Sequence, residues 1–337
     1  MEIGIDTFVA SSKAGLIEKN EDAIENLLKR ISFAEEVGLD VYGIGEHHRE
    51  DFLDSAPTVL LAAAAALTKK IRLTSAVSGI GTVDPIRLFQ EFATIDLISK
   101  GRAEIVAGRG ASSEAWPLFG FDKAESSAIF KEKLALLLQA RDNEFVTWSG
   151  KYRADIDNMG VYPRPFQKSL PIWHAALHTP GSAISAGELG MPLLLAVIDG
   201  QIEKALNMVE LYREAGEDAG FEEDELKVGF HSMGYVAETT EQAVEEFYPG
   251  WAESMKHNHG TQKTKSRFEL DLGLKGSSLL VGNPEEVAQK ILRLTKDFGG
   301  LNRFCFQMDY AGLPHEKLMK SIELIGTKVI PLVKSQL

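Results

Sequence analysis

The chain has 337 residues, of which 44% are apolar, and it carries a formal net charge of -13. This negative charge repels phosphate backbones and argues against nucleic-acid binding. Cys305 is the single cysteine, which excludes an internal disulfide, a zinc ribbon and a cysteine-ligated iron–sulfur cluster, and favours a reducing, cytoplasmic setting. The first residues lack the features of a signal peptide, and the uncharged, alanine-rich stretch 55–68 is shorter than the roughly 20 apolar residues of a membrane span.

Eight short apolar runs have the length and composition of β-strands. Most of them lack alternation of polar and apolar residues, as expected for parallel strands that are covered on both faces. The predicted strands are Ile3–Phe8, Val41–Gly45, Arg72–Val77, Ala103–Ala107, Pro171–Ala176, Pro192–Val197, Val228–Val236 and Arg303–Met308.

The segments between these runs have helical features. Asp84-Pro85 predicts an N-cap followed by a proline in the first turn, and Asn283 with Glu286 predicts a capping box. Strand and helix alternate eight times, which predicts a single (β/α)8 TIM barrel over residues 1–337. A doubly wound sheet is the main alternative, but it would need a GxGxxG turn after a strand, and the sequence has none.

Two segments do not fit a minimal barrel and are predicted to be insertions. Residues 148–167 contain two glycines and two prolines and are expected to form a short extended excursion before the fifth predicted strand. Residues 257–275 are polar, charged and rich in glycine, which is typical of a mobile insertion and makes this segment a candidate lid.

The active site of a TIM barrel lies at the carboxyl ends of its strands, so polar residues at those positions are candidates. The second predicted strand is followed by Glu46, His47 and His48. A metal site is disfavoured because adjacent strand-end side chains point apart, and one ion rarely meets both histidines. An acid–base site and an ordinary polar loop remain as alternatives.

A second group of candidates follows the fourth and fifth predicted strands. Arg109 lies between two glycines, and Thr179 precedes Pro180 at a predicted helix start that includes Ser182. Free amides at a helix start, two hydroxyls and a guanidinium form a phosphate site, and neighbouring strands bring them together. The alternative is a capped helix and an unrelated surface arginine. The small apolar stretch "TSAVSG" (74–79) suits an aromatic ring, so a planar cofactor with a phosphate is the predicted ligand.

Nearly the whole chain resembles the luciferase-like, flavin-dependent monooxygenase family, to which bacterial luciferase belongs. The long segment 72–110 is the most specific part of the resemblance, whereas "EHH" alone is weak. The matching stretches are "GIGEHH" (43–48), "RLTSAVSGIGTVDPIRLFQEFATIDLISKGRAEIVAGRG" (72–110), "LFGFD" (118–122), "VYPRP" (161–165), "LGMPLLLA" (189–196) and "SLLVGNPEEVAQKI" (278–291).

The resemblance implies a barrel that binds FMN at the carboxyl ends of its strands. Glu46 and His47 match the family's Glu-His pair, whose histidine is catalytic. Ala76 and Val77 match the segment behind the flavin ring, where members carry a cis peptide bond that does not involve proline. Gly108 stands in place of the reactive cysteine of luciferase, so light emission is not expected.

The resemblance also assigns the phosphate of FMN. Arg109 matches the phosphate arginine, and His178, Thr179 and Ser182 match positions where backbone amides and hydroxyls hold the phosphate. His178 stands where close relatives tend to have glycine, so its position departs from the family pattern.

The implied activity is that of an enzyme that uses dioxygen and reduced FMN, supplied by a separate reductase, to oxygenate a small organic substrate. His47 is then the general acid–base, and the segment 257–275 is the candidate cover. Two alternatives remain open: a deazaflavin-dependent oxidoreductase, and a flavin-binding protein without turnover. Family members pair through helices at positions 57–67 and 86–98, which are apolar on nearly every face here, so a homodimer is expected.

Overall fold

The computed structural model describes residues 1–11, 19–110, 113–177, 179–198, 202–260, 263–274 and 277–337, with the backbone alone at 258 and 259. The strands are β1 Glu2–Thr7, β2 Val41–Ile44, β3 Arg72–Ser75, β4 Ser78–Gly79, β5 Ala103–Gly108, β6 Phe145–Trp148, β7 Ile156–Gly160, β8 Ile172–Ala176, β9 Leu193–Ala196, β10 Val228–Val236, β11 Leu280–Gly282 and β12 Arg303–Gln307. The helices are α1 Asn20–Glu36, α2 Pro57–Leu67, α3 Pro85–Ser99, α4 Ala115–Leu118, α5 Ser126–Asp142, α6 Pro180–Glu188, α7 Ile202–Asp218, α8 Thr240–His259, α9 Lys265–Gly273, α10 Pro284–Asp297, α11 His315–Leu324 and α12 Ile330–Lys334.

Eight parallel strands close into a barrel, in the order β1, β2, β3, β5, β8, β9, β10 and β12. The last strand pairs with the first, with Glu2 opposite Arg303 and Asp6 opposite Gln307. Helices connect the strands, so the fold is the predicted (β/α)8 barrel, and all eight predicted strands are present. Most residues of these strands are buried because helices cover the outside while side chains fill the inside, which explains their continuous apolar runs.

One predicted strand, Arg72–Val77, is longer than the observed one. β3 ends at Ser75, and the peptide bond between Ala76 and Val77 is cis, as the resemblance implied. The chain then pairs again with the next barrel strand through β4. The shortened strand places Ala76 and Val77 at the rim of the barrel, next to the end of β5.

The predicted helix starts are largely confirmed. The Asp84 side chain accepts a hydrogen bond of 3.0 Å from the amide of Arg87, and the Asn283 side chain accepts one of 2.9 Å from the amide of Glu286. The reciprocal half of the predicted capping box differs: the Glu286 carboxylate accepts from the side chains of Asn283 and Thr240, not from a backbone amide. These caps fix where the helices leave the strand ends.

A buried ionic cluster closes the amino-terminal end of the barrel. Arg303 opens β12, forms an ion pair with Glu104, and lies 4.4 Å above the ring of Trp173. Arg303 and Glu104 are both almost completely buried. Because each of these buried charges has its partner, the cluster leaves no unpaired charge at this end of the barrel.

Both predicted insertions contain regular structure. β6 and β7 form an antiparallel hairpin just before β8, and this hairpin overlaps the predicted insertion 148–167. The segment predicted as the polar insertion 257–275 lies partly outside the described residues, but it includes the end of α8 and helix α9. The buried ring of Phe268 packs 4.7 Å from Trp251 and anchors α9 on α8, an apolar contact that the polar composition of the segment conceals.

Among the described helices, none combines the length and the apolar character needed to cross a membrane.

Candidate active site

A cavity of about 570 Å³ opens at the carboxyl ends of the barrel strands. Residues that follow β1, β2, β3, β5, β8, β9 and β12 line it, together with residues within β10. Those used below are Phe8, Glu46, His47, Phe52, Ala76, Val77, Gly108, Arg109, Ser182, His231, Met233, Gln307 and Tyr310. The volume lies in the range of ligand-binding pockets of soluble proteins.

His47 is held on three sides. Its Nδ1 lies 2.9 Å from the Oδ2 of the fully buried Asp54, and its amide donates to the Oδ1 at 3.1 Å. The rings of Phe8 and Phe52 lie 4.6 Å and 4.4 Å from the imidazole. Burial raises the pKa of the Asp54 carboxyl, whereas the hydrogen bond from His47 lowers it. Because a carboxylate only accepts, Nδ1 carries a proton, and Nε2 has no hydrogen-bond partner in the described structure.

Glu46 is also fixed. Its Oε2 accepts a hydrogen bond of 3.0 Å from the amide of Gly79, and its Oε1 lies 3.2 Å from the Nε2 of His48. The side chains of His47 and His48 therefore have different partners, as expected for adjacent residues. The loop after β2 is in this way joined to β4, beside the cis peptide.

Ala76 and Val77 form an apolar wall of the cavity, and Gly108 makes room for it. A Cβ atom on Gly108 would lie 2.5 Å from the Cγ2 of Val77. The absence of a side chain at 108 therefore lets Val77 lie directly against the end of β5. A β-branched side chain has few rotamers, so this wall has a defined shape.

Arg109 reaches the start of α6. Its Nη2 donates a hydrogen bond of 2.9 Å to the Oγ1 of Thr179, and its Nη1 donates one of 3.2 Å to the Oγ of Ser127. The Thr179 side chain makes no capping hydrogen bond to the helix, and its hydroxyl is turned towards the guanidinium instead. Apart from its chain neighbours and the helix's own backbone, no described atom lies within 4 Å of the position that a Cβ of Gly181 would occupy, which leaves open space beside the first turn.

One cavity is thus lined by the histidine of a strand-end loop, by the two residues of the cis peptide bond and by an arginine beside a helix start. The family model of the luciferase-like monooxygenases matches residues 1–300. The chain belongs to this family.

Solved luciferase-like structures are similar over 98% of this chain. The monooxygenase RslO1 from Streptomyces bottropensis is 25% identical with a TM-score of 0.85 and is covered over 99% of its length. The oxygenating constituent of 3,6-diketocamphane monooxygenase from Pseudomonas putida, in complex with FMN, is 21% identical with a TM-score of 0.79 and 98% coverage. An F420-dependent secondary alcohol dehydrogenase is 20% identical, with a TM-score of 0.73 and 98% coverage. The last two likenesses concern the fold alone.

In this luciferase-like chain, most candidate site residues meet at the one cavity. Glu46, His47, Ala76, Val77, Arg109 and Ser182 line it, and Thr179 touches it through Arg109. His178 lies outside the described residues, so its predicted phosphate role stays a prediction.

The sequence did not indicate a site role for Asp54 or for the pair formed by Asp6 and His231. Asp54 follows His47 by seven residues, a spacing without a motif, and only the turn of the loop brings the two side chains together. His231 is a polar residue inside the apolar run of β10, and this interruption was the available signal. Its Nδ1 hydrogen-bonds to the Oδ2 of Asp6, across the neighbouring β12.

His174, near the end of β8, is a buried residue rather than a ligand. Its Nδ1 donates to the carbonyl of Ala175 at 3.1 Å, and its ring packs edge-on against Phe130. Burial lowers the pKa of His174 to about 4, and the nearby charge of Arg109 acts in the same direction. In the described part of the chain, no three His, Cys, Asp or Glu side chains are grouped so that they could hold a metal ion.

Proposed function

We propose that this protein is an FMN-dependent monooxygenase that uses dioxygen and reduced FMN, supplied by a separate reductase, to oxygenate a small organic substrate. The observation that carries the proposal is one cavity with Arg109 and the start of α6 on one side, and the His47–Asp54 pair on another. Bound reduced FMN supplies the two electrons with which one oxygen atom of dioxygen enters the substrate while the other leaves as water.

The phosphate end of FMN fits the start of α6. A guanidinium has five N–H donors, and Arg109 uses two of them on Thr179 and Ser127, so others remain for a phosphate. The helix start adds backbone amides and the positive end of the helix dipole. We assign phosphate binding to Arg109, Thr179 and Ser182, and extend it to His178 by its place in the sequence.

The ring end of FMN fits against Ala76 and Val77. The side chains of Ala76 and Val77, packed against the end of β5 where Gly108 has no side chain, give an apolar surface that a planar ring can cover. Glu46 is held at the edge of this wall by the Gly79 amide and by His48, and we assign it the role of contacting or orienting the ring.

His47 is the general acid–base in this scheme. Asp54 fixes the ring and its Nδ1 proton, so Nε2 is the atom that takes up or delivers a proton in the cavity. Phe8 and Phe52 exclude water from the faces of the imidazole. Exclusion of water also protects the reacting centre from unproductive oxidation of the reduced flavin.

The structure also supports contributions from outside the cavity. Arg49 beside the cavity approaches His257 at the end of α8, with Nη2 and Nε2 3.4 Å apart, so the 257–275 region is a candidate cover. Helices α2 and α3 expose Val59, Leu67 and two further apolar residues, which suits a homodimer through this face. The buried free thiol of Cys305 suits the cytoplasm.

Two measurements test the proposal. FMN, reduced FMN and F420 are titrated separately against the purified chain, and oxygen uptake is followed with FMN, NADH and a flavin reductase over a panel of aldehydes, ketones and thioethers. We expect FMN binding and uptake coupled to an oxygenated product. A requirement for F420 would identify the deazaflavin alternative, and tight FMN binding without any product would identify a flavin-binding protein without turnover.

A further inference from the structure

A second histidine–carboxylate pair lines the same cavity. His231 lies within β10 and Asp6 lies in β1, and both side chains are almost completely buried, with exposed fractions of 5% and 2%. The Nδ1 of His231 hydrogen-bonds to the Oδ2 of Asp6. Because the carboxylate accepts this bond, the orientation of the imidazole is fixed, and Nε2 is the ring nitrogen without a partner among the described residues.

The ring of Phe8 lies between the two histidines of the cavity. Its centre is 4.6 Å from the imidazole of His47 and 6.4 Å from that of His231, and it stacks on the latter with an interplanar angle of 20°. The two open Nε2 atoms therefore belong to different parts of the cavity. His47 belongs to the part beside β2 and β3, whereas His231 belongs to the part beside β10 and β12.

The barrel order divides the cavity in the same way. Arg109 and Thr179 follow β5 and β8, and Ala76 and Val77 follow β3, so a flavin that uses both groups occupies the side formed by β3, β5 and β8. The side formed by β1, β12 and β10 then remains for the organic substrate. The assignment of this side to the substrate rests on the proposed function, because it assumes that FMN occupies the other side.

Much of the described surface on this second side is apolar. Phe8 and Met233 give apolar surface, and the Met233 sulfur already accepts from the Nε1 of Trp251. The amide of Gln307 is engaged at both ends, since its Nε2 donates to Asp309 at 2.6 Å and its Oε1 accepts from the Tyr310 amide at 3.1 Å.

The charges of the cavity do not favour an anion on this side. Of the described residues that line the cavity, the arginines are Arg49 and Arg109. Arg49 is paired with both carboxylate oxygens of Asp51, at 3.0 Å and 2.7 Å, and Arg109 lies at the opposite side near Thr179. A carboxylate or sulfonate substrate would therefore lose its hydration without gaining a free cation.

We propose that His231, oriented by Asp6, binds the oxygen of an apolar, uncharged substrate that carries a carbonyl or a hydroxyl group. A doubly protonated imidazole, its charge balanced by the carboxylate of Asp6, donates from Nε2 to a carbonyl oxygen, and a neutral one accepts at Nε2 from a hydroxyl. Either hydrogen bond places the functional group of the substrate next to one side of Phe8. His47, which exchanges its proton, lies on the other side of this ring.

The test compares matched probes with and without FMN. Decan-2-one, decan-2-ol and decanoate are titrated by calorimetry against the FMN-loaded protein and against the protein alone. We expect the ketone, the alcohol or both to bind at least about tenfold more tightly than decanoate. The uncharged probe that binds better identifies which hydrogen bond His231 makes. Binding of decanoate as tight as that of the uncharged probes would overturn the proposal.

Three variants isolate the ring nitrogen. His231→Asn keeps a donor for Asp6 but removes the atom at Nε2, and is expected to weaken the preferred probe about tenfold, the effect of one hydrogen bond to a charged or well-oriented group. His231→Gln returns an amide near Nε2 and should restore part of the affinity. His315→Asn replaces a histidine that contacts Arg30 and is not among the described residues lining the cavity, and it should change the affinity less than threefold.

The same variants separate this inference from the proposed function. FMN affinity should be unchanged in His231→Asn, because His231 lies away from Arg109 and Val77. Equal probe binding in wild type and His231→Asn would overturn the inference even if FMN binds and turnover occurs. If FMN does not bind at all, the proposed function fails, while the probe titrations against the protein alone still decide the role of His231.

Discussion

The Nη2 of Arg109 donates a hydrogen bond of 2.9 Å to the Oγ1 of Thr179, and this contact joins the end of β5 to the start of α6. The two residues are 70 positions apart in the sequence and meet because β5 and β8 are neighbours in the barrel. The contact fixes a guanidinium over the amides of a helix start, where an anion is stabilised.

Replacement of this guanidinium should weaken FMN binding. Arg109→Ala removes charge-assisted hydrogen bonds, each worth about 1.5–3 kcal/mol, so we expect the Kd of FMN to rise at least about tenfold. Arg109→Lys keeps a positive charge but lacks the planar guanidinium, so its Kd for FMN should lie between those of the wild type and Arg109→Ala. Arg141→Ala removes an arginine that pairs with Asp142 on the surface and serves as the control. Unaltered FMN affinity in Arg109→Ala would remove the phosphate assignment.

The His47–Asp54 pair should control the rate but not the binding of the cofactor. His47→Ala should lower substrate-dependent product formation by about 10²–10⁴, the usual contribution of a general acid–base. Asp54→Asn should lower it less, because the ring remains but its proton position is no longer fixed. FMN affinity should stay within about twofold in both variants. Turnover in His47→Ala equal to that of the wild type would exclude the acid–base role.

The barrel could be predicted from the sequence because its evidence is local. Each strand corresponds to a separate apolar run. The caps at Asp84 and Asn283 each involve residues that lie within four positions of one another. β11 and β4 were not predicted because strands of three and two residues are too short to show a recognisable sequence pattern. Helix α9 escaped because its buried face depends on Phe268 alone among the large side chains.

The site was predictable only in part, since its contacts join distant segments. His47 and Arg109 stand beside strand ends, where function is expected. Other contacts of the site cannot be recognised in this way. Asp54 lies within the loop that follows His47, and Asp6 and His231 are 225 positions apart in the sequence. The Thr179 hydroxyl had two possible uses, as a helix cap or as a partner of Arg109, and the local sequence could not decide between them.

Gly108 should resist substitution. In Gly108→Ala the new Cβ would lie 2.5 Å from the Cγ2 of Val77, so the wall of the cavity must shift. We expect a loss of about 1–3 kcal/mol in the free energy of unfolding, typical of overpacking, and a several-fold weaker FMN affinity. Gly273→Ala is the matched control, because the site of its Cβ is open. Wild-type stability and FMN affinity in Gly108→Ala would show that Val77 does not form a fixed wall.

His174 should make the stability of the protein depend on pH. The pKa of His174 is lowered from the ordinary 6.5 to about 4, mainly by burial. Between these two pH values His174 is protonated in the unfolded chain but not in the native state. A lowered pKa gives stability that is complete above about pH 6.5 and is lost as the pH falls towards 4. The slope from this group should approach about 1.4 kcal/mol per pH unit.

Denaturant unfolding of the wild type and of His174→Gln at a series of pH values checks this. The variant lacks the titrating ring, so the free-energy difference between the two proteins should be constant above pH 7 and should change in favour of the variant between pH 6.5 and 4. Parallel curves over the whole range would contradict the assignment of His174 as a buried neutral residue.

The exposed apolar face of α2 and α3 should be covered by a second copy of the chain. Val59 and Leu67 of α2 are 66% and 57% exposed, and Leu97 and Ile98 of α3 are also exposed. Burial of one such side chain is worth about 1.5–3 kcal/mol, and a symmetric dimer buries each of them twice. We expect light scattering to give the mass of two chains for the wild type and of one chain for Val59→Glu. Leu270→Glu changes an equally exposed residue of α9 and should leave the dimer intact. A monomeric wild type would contradict the dimer. Dissociation by Leu270→Glu but not by Val59→Glu would show that the interface lies elsewhere.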